Sequence, residues 1–167
     1  EIRLGRNPRQ KGRNTVFVIE WEGMRLVHLG DYGESSLRNE LLEAIGTPDI
    51  LFIPVGGADT IDAEEAAKLL NQVEPRIVIP MHYKISGIRA KLDGVEMFMK
   101  EMGEKVEPEE KFTIKKSGLP NAEESKIVIL KGESSMTTIA VARIAADKYK
   151  RHLIGRGETG EPDREPE

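Results

Sequence analysis

Residues 48–57 read PDILFIPVGG, and every side chain from Ile50 to Val55 is apolar. A run of that length without polar alternation predicts a short strand buried on both faces. Upstream, SSLRNELLEAIG (35–46) places Leu37, Leu41, Leu42 and Ile45 on one helical stripe, with Ser35 or Ser36 as a cap and Gly46 as the stop. Downstream, DAEEAAKLLNQV (62–73) predicts a second helix, capped by Asp62 and acidic in its first turn. RIVIP (76–80) is then another buried strand. Ahead of both helices, NTVFVIE (14–20) alternates, WEG turns the chain, and MRLVHL (24–29) returns. That predicts a β-hairpin over 15–29. Strand, helix, strand, helix, strand is the signature of a parallel βαβαβ core in an α/β fold. In such a sheet the loops leaving the strand carboxyl ends share one edge, where ligands bind. GDYG (30–33), GGADT (56–60) and MHYK (81–84) are therefore expected to be neighbours.

The flanks are less regular. Residues 1–13, EIRLGRNPRQKGR, are basic and rich in turn formers and predict a loop, solvated or able to hold phosphate. A third helix is expected over 89–102, where Leu92, Val95, Phe98, Met99 and Met102 recur at helical spacing. KFTIKK (111–116) and KIVIL (126–130) read as late strands. TTIAVARIAADKYKRHL (137–153) reads as an amphipathic helix, and the residues from 155 onward have the composition of a disordered tail.

Composition narrows the function classes. The 167 residues are 38% hydrophobic and 32% charged, ordinary for a soluble domain with its own core. A net charge of -4 disfavours nucleic acid as the main partner. Cysteine is absent, which removes disulfides and thiolate metal sites and fits a reducing, cytoplasmic setting. No apolar run reaches the length of a membrane span, so no membrane partner is expected.

Two strand exits carry groups suited to metal chemistry. Asp31 follows Gly30 in HLGD; a carboxylate there can hold a divalent ion, and it can equally serve a turn. His82 follows the next buried strand and is either a neutral imidazole ligand or a half-buried packed histidine. His28 is a candidate donor orienting Asp31, or a packed strand residue. Gly56 and Gly57 allow a ligand close to the backbone, or simply turn the chain into the helix. Asp59, Thr60 and Asp62 crowd the same loop, and at least one of them is expected to cap. Tyr83 and Lys84 flank His82 and are candidate contacts for an anionic substrate, with solvation the plainer reading for Lys84. His152 carries no assigned chemistry. There is no Rossmann or Walker glycine pattern, no nucleophile-elbow serine and no cysteine, so covalent acyl transfer finds little support.

RNTVFVIEWEGMRLVHLGDYG, PDILFIPVGGADTIDAEEAAKLL and PRIVIPMHYK, in this order and spacing, resemble the metallo-β-lactamase fold superfamily. The likeness is to its small Zn-dependent, lactamase-B-like hydrolases and runs over roughly residues 10–130. It implies half of an αββα sandwich: a mixed sheet with a βαβαβ core and helices on its outer face. By the same likeness residues 1–132 are the C-terminal half of such a domain, 133–154 an additional helix and 155–167 a tail. The resemblance implies that Asp31 bridges two metal ions, that His82 ligates the second, and that Gly56 and Gly57 line the site. It implies zinc, with manganese or iron also compatible with histidine and carboxylate ligands. The implied chemistry is attack of a metal-bound hydroxide on an ester, lactone, amide or phosphodiester of a small-molecule substrate.

The departure from the family pattern is as informative. The family's HxHxDH motif is absent, and the only histidines are His28, His82 and His152. A catalytic zinc takes about three protein ligands plus water, and Asp31 with His82 supply two. The remaining ligands are expected in a part of the protein outside this chain, which alone should be inactive. The inner sheet face should then be apolar and covered by a missing N-terminal half or a homo-oligomer. Two other readings compete: a non-catalytic binding or assembly module derived from the fold, and a plain doubly wound α/β domain that binds an anion without metal.

Overall fold

The computed structural model describes residues 2–7 and 12–131. The expected late helix over 137–153 and the tail from 155 lie outside the described residues. The chain runs β1 (Ile2–Asn7), β2 (Gly12–Trp21), β3 (Met24–His28), α1 (Asn39–Ile45), β4 (Ile50–Pro54), α2 (Ala63–Val73), β5 (Ile77–Met81), α3 (Val95–Met102) and a short β6 (Lys126–Ile127). The six strands lie in one sheet in sequence order. β1, β2 and β3 pair antiparallel, and β3 through β6 pair parallel.

This order puts the helices on one face. Leu41 and Ile45 of α1, Ala66 and Leu69 of α2, and Phe98 of α3 share one apolar cluster with Val16, Val18, Val27, Leu51 and Ile53 of the sheet. A doubly wound domain covers both faces with helices; here the second face carries no α-helix among the described residues, only a single 3-10 turn at Lys116–Gly118. The plain doubly wound reading is thereby corrected, and the mixed sheet with helices on its outer side stands. The strands alternate between faces with their period of two. On the second face Ile50, Ile77, Ile79 and Val128 are buried, with Leu26, Phe52, Phe112, Ile114 and Leu119 packed against them. The segment 111–119 thus covers the β4–β6 side. On the β2 side Phe17 and Ile19 remain 41% and 40% exposed.

Several boundaries depart from expectation, each for a tertiary reason. Residues 2–7, expected as loop, form an edge strand in register with β2, Ile2 opposite Phe17 and Asn7 opposite Gly12. The basic and turn-forming composition hid an Ile2, Leu4 alternation that needs a partner strand to become structure. Helix α1 begins at Asn39 with Arg38 as N-cap and no side-chain cap, so neither Ser35 nor Ser36 serves. The Tyr32 hydroxyl donates to the Ser36 carbonyl at 2.8 Å, and the Leu37 N–H donates to Gln72 Oε1 at 3.1 Å. Those bonds hold residues 36–37 off the helix. Helix α3 starts at Val95 rather than near residue 89. Asp93 is held at the sheet edge, its N–H donating to the Gly56 carbonyl and its carbonyl accepting from Lys84 N–H. KFTIKK is irregular rather than a strand, although Phe112 and Ile114 do share a face. Asp62 caps α2 as expected, in a reciprocal box with Glu65. Among the described residues no helix is long and apolar enough to cross a membrane.

Candidate metal-binding edge

The parallel strands β3, β4 and β5 end at His28, Pro54 and Met81, and their exits are knitted into one edge. The Leu29 N–H donates to the Phe52 carbonyl at 3.0 Å, and the Val55 N–H donates to the Met81 carbonyl at 3.0 Å. The Ile61 N–H reaches back to the Tyr32 carbonyl at 2.9 Å. The loop 56–62 closes on itself through Gly57 N–H to the Ile61 carbonyl and Thr60 N–H to the Gly57 carbonyl, both 3.1 Å. Thr60 then touches the third loop, its hydroxyl 3.3 Å from His82 Nδ1. The expected grouping of GDYG, GGADT and MHYK is therefore present.

Asp31 leaves this edge with an exposed side chain. Gly30 sets its direction. Gly30 sits at φ +63, and a Cβ there would lie 2.5 Å from Asn14 Oδ1 and 2.8 Å from the Thr15 carbonyl. Only glycine tolerates both the left-handed backbone and that approach. Asn14 is buried and was not singled out from sequence. Its Nδ2 donates to the Leu29 carbonyl at 2.7 Å, tying β2 to the chain just before Asp31. A lone Asn opening a β-branched strand was the available signal.

His28 lies on the second face of the sheet, its ring 6.4 Å from Phe17 and 5.6 Å from Phe52. Its Nδ1 accepts the Gly30 N–H at 3.1 Å, so it acts as an acceptor toward the backbone rather than as a donor through that atom. Burial lowers the imidazole pKa from 6.5, and the negative charge of Asp31 opposes the shift. The unfolded chain therefore binds a proton that the folded chain refuses between the depressed value and 6.5. This contribution to stability is complete above that window and is lost as pH falls through it. His28→Phe should flatten the dependence of the urea midpoint on pH below 6.5. An unchanged pH curve would assign the acid sensitivity to another group.

His82 is exposed and held at φ +54. Tyr83 turns away from the strand exits: its hydroxyl donates to the Leu130 carbonyl at 3.2 Å, and burial raises its pKa, with Glu96 adding to the rise. The Lys84 ammonium donates to the Ile88 and Ala90 carbonyls, bracing the loop 85–91. Gly56 packs against the His82 and Tyr83 backbone, and Gly57 shapes the loop that carries Thr60.

As a donor set, an exposed carboxylate and an exposed imidazole suit part of a divalent-metal shell. No cluster of three or more His, Cys, Asp or Glu suited to a metal is present among the described residues. The set fits a metal in part, as two donors of a larger shell.

Residues 3–82 match the model of the β-lactamase superfamily domain. A UPF0173 metal-dependent hydrolase of Thermococcus onnurineus is 39% identical over 75 residues, 43% of this chain and 32% of that protein. Another from Methanosphaera stadtmanae is 37% identical over 97 residues, 57% of this chain and 40% of that protein. The chain thus spans about a third of the length of such curated relatives. A solved structure from Thermotoga maritima, described as a candidate Zn-dependent hydrolase of the metallo-β-lactamase superfamily, is 32% identical with a TM-score of 0.65. That likeness covers 77% of this chain and 63% of the Thermotoga one. Residues 3–82 are thus similar to a β-lactamase superfamily domain, and the sheet built on them shares the fold of the Thermotoga structure.

Proposed function

We propose that this chain is the C-terminal half of a metal-dependent hydrolase, with Asp31 and His82 as two of its metal ligands and the other ligands supplied from outside these 167 residues. The observation that carries the reading is the joining of the Asp31 and His82 loops through Tyr32, Ile61 and Thr60 at one sheet edge. The relatives' description as metal-dependent hydrolases supports it. Zinc suits a carboxylate and an imidazole, and manganese or iron suits them too. A divalent ion held there would supply Lewis acidity toward a small-molecule ester, lactone, amide or phosphodiester. The chain's own contribution is to fix the direction of Asp31 through Gly30 and Asn14, and to hold the His82 loop against Thr60.

The partially bare second face, with Phe17 and Ile19 exposed, fits cover by a second half of the sandwich. Turnover of phosphodiester and lactone substrates, with zinc or manganese titrated in, should be absent for the 167-residue chain. It should appear when an N-terminal half carrying HxHxDH is co-expressed. Robust turnover by the chain alone, abolished by a chelator, would show that the ligands lie elsewhere in it.

A further inference from the structure

We propose that Thr60 fixes the tautomer of His82, placing the proton on Nδ1 and leaving the Nε2 lone pair directed outward for a ligand. Thr60 is fully buried, at 0% exposure, in a loop that otherwise carries exposed side chains at Ala58 and Asp59. Its hydroxyl oxygen lies 3.1 Å from the Gly57 carbonyl, 3.2 Å from the Ile61 carbonyl and 3.3 Å from His82 Nδ1. A threonine hydroxyl has one proton to give and two lone pairs. Two of these three neighbours are carbonyls, which only accept. If the hydroxyl donated to His82 Nδ1, its lone pairs would face two carbonyl oxygens in a buried place, which is costly. If it donates to a carbonyl, a lone pair of the hydroxyl can face Nδ1–H across the 3.3 Å contact. The hydroxyl therefore receives the imidazole proton instead of supplying one.

The arrangement is independent of the ligand. A neutral imidazole in water favours the Nε2–H form, so an Nδ1–H form at an exposed histidine needs a fixed acceptor, and Thr60 is one. The left-handed backbone of His82 adds to the case. A non-glycine residue held at φ +54 needs surrounding structure to keep it there. The Gly56 backbone, packed directly against the His82 carbonyl, supplies part of that structure. Thr60 is thus a positioning residue: it touches no substrate and acts through His82. The inference takes from the proposed function only the nature of the ligand, a divalent metal.

The test uses the full chain without metal, with its imidazole nitrogens labelled, above pH ~8 where histidine is neutral. His82 signals are identified by His82→Gln. The expected result is a protonated Nδ1 and an unprotonated Nε2 at His82 in the native chain. Thr60→Val keeps the shape and removes the acceptor, and should return His82 to the Nε2–H form. Thr60→Ser should retain Nδ1–H. An Nε2–H tautomer in the native chain would overturn the proposal, and so would a Thr60→Val spectrum identical to the native one. If Thr60→Val does not fold, the native and Thr60→Ser spectra decide the matter. Zinc added to the native chain should shift the Nε2 signal, with affinity falling about tenfold or more in Thr60→Val. An Nδ1–H tautomer with no zinc response would sink the metal reading and leave the role of Thr60 standing.

Discussion

Gly56→Ala should lower the urea midpoint of the chain sharply, because the new methyl has nowhere to go. A Cβ on Gly56 would lie 2.0 Å from the His82 carbonyl oxygen and 2.9 Å from Tyr83 Cα. Both obstacles are backbone, so no side-chain rotation relieves them. The strands on each side are also fixed: Val55 N–H donates to the Met81 carbonyl, and the Gly56 carbonyl accepts from Asp93 N–H. Moving the end of β4 away from β5 enough to admit a methyl breaks those bonds at the carboxyl edge of the sheet. Overpacking of this kind costs about 3 kcal/mol, a large part of the ~5–15 kcal/mol that holds a domain together. Gly57→Ala is the control. Gly57 lies at φ +67, but its nearest neighbours to a Cβ are at 3.5 Å. It should lose only the conformational term, about 1 kcal/mol. Urea unfolding of the two variants separates steric exclusion from backbone strain. Equal midpoints would mean that the approach of β4 to the His82 carbonyl is looser than described.

What the sequence revealed depended on how local each determinant was. The apolar run at Ile50–Val55 and the stripe of α2 announced themselves, because burial on both faces and helical spacing are written in adjacent residues. The box at Asp62 and Glu65 was half legible for the same reason. The grouping of the loops that carry Asp31 and His82 followed from parallel connectivity alone. The start of α1 did not, since Arg38 takes the cap only because Tyr32 and Gln72 hold Ser36 and Leu37 from a distance. Likewise β1 exists by pairing with β2, and no local pattern marks its register. Within the site, Asn14 and Thr60 were the residues hardest to foresee. Each is a small polar side chain whose role is to bond a loop distant in sequence, Leu29 for Asn14 and His82 for Thr60. Lys84 is a further case. A cation beside a candidate ligand read either as solvated or as a contact for an anionic substrate, and its bracing of the loop 85–91 was not written in the neighbouring residues.

In a complex with an N-terminal half carrying HxHxDH, Asp31→Ala is expected to lower kcat about a thousandfold or more, a loss of about 4 kcal/mol in the barrier. Under the proposed function the Asp31 carboxylate holds the metal. A carboxylate removed from a metal site costs both the ion's position and the charge that holds it. Stability should hardly change, because the Asp31 side chain is exposed and exposed substitutions stay within ~0.5 kcal/mol. That separation between rate and stability marks a functional residue, whereas a turn-forming aspartate would lose both together or neither. A second readout needs no metal and no partner. Asp31 raises the pKa of His28 against the lowering by burial. Removing it should therefore push the His28 pKa further down, measurable from imidazole signals during an acid titration. Asp31→Asn removes the charge and keeps the shape, so it should reproduce both effects. A normal kcat in the complex with a shifted His28 would place Asp31 at this edge but outside the chemistry. A slow complex with an unshifted His28 would mean that Asp31 acts from a position different from the one described.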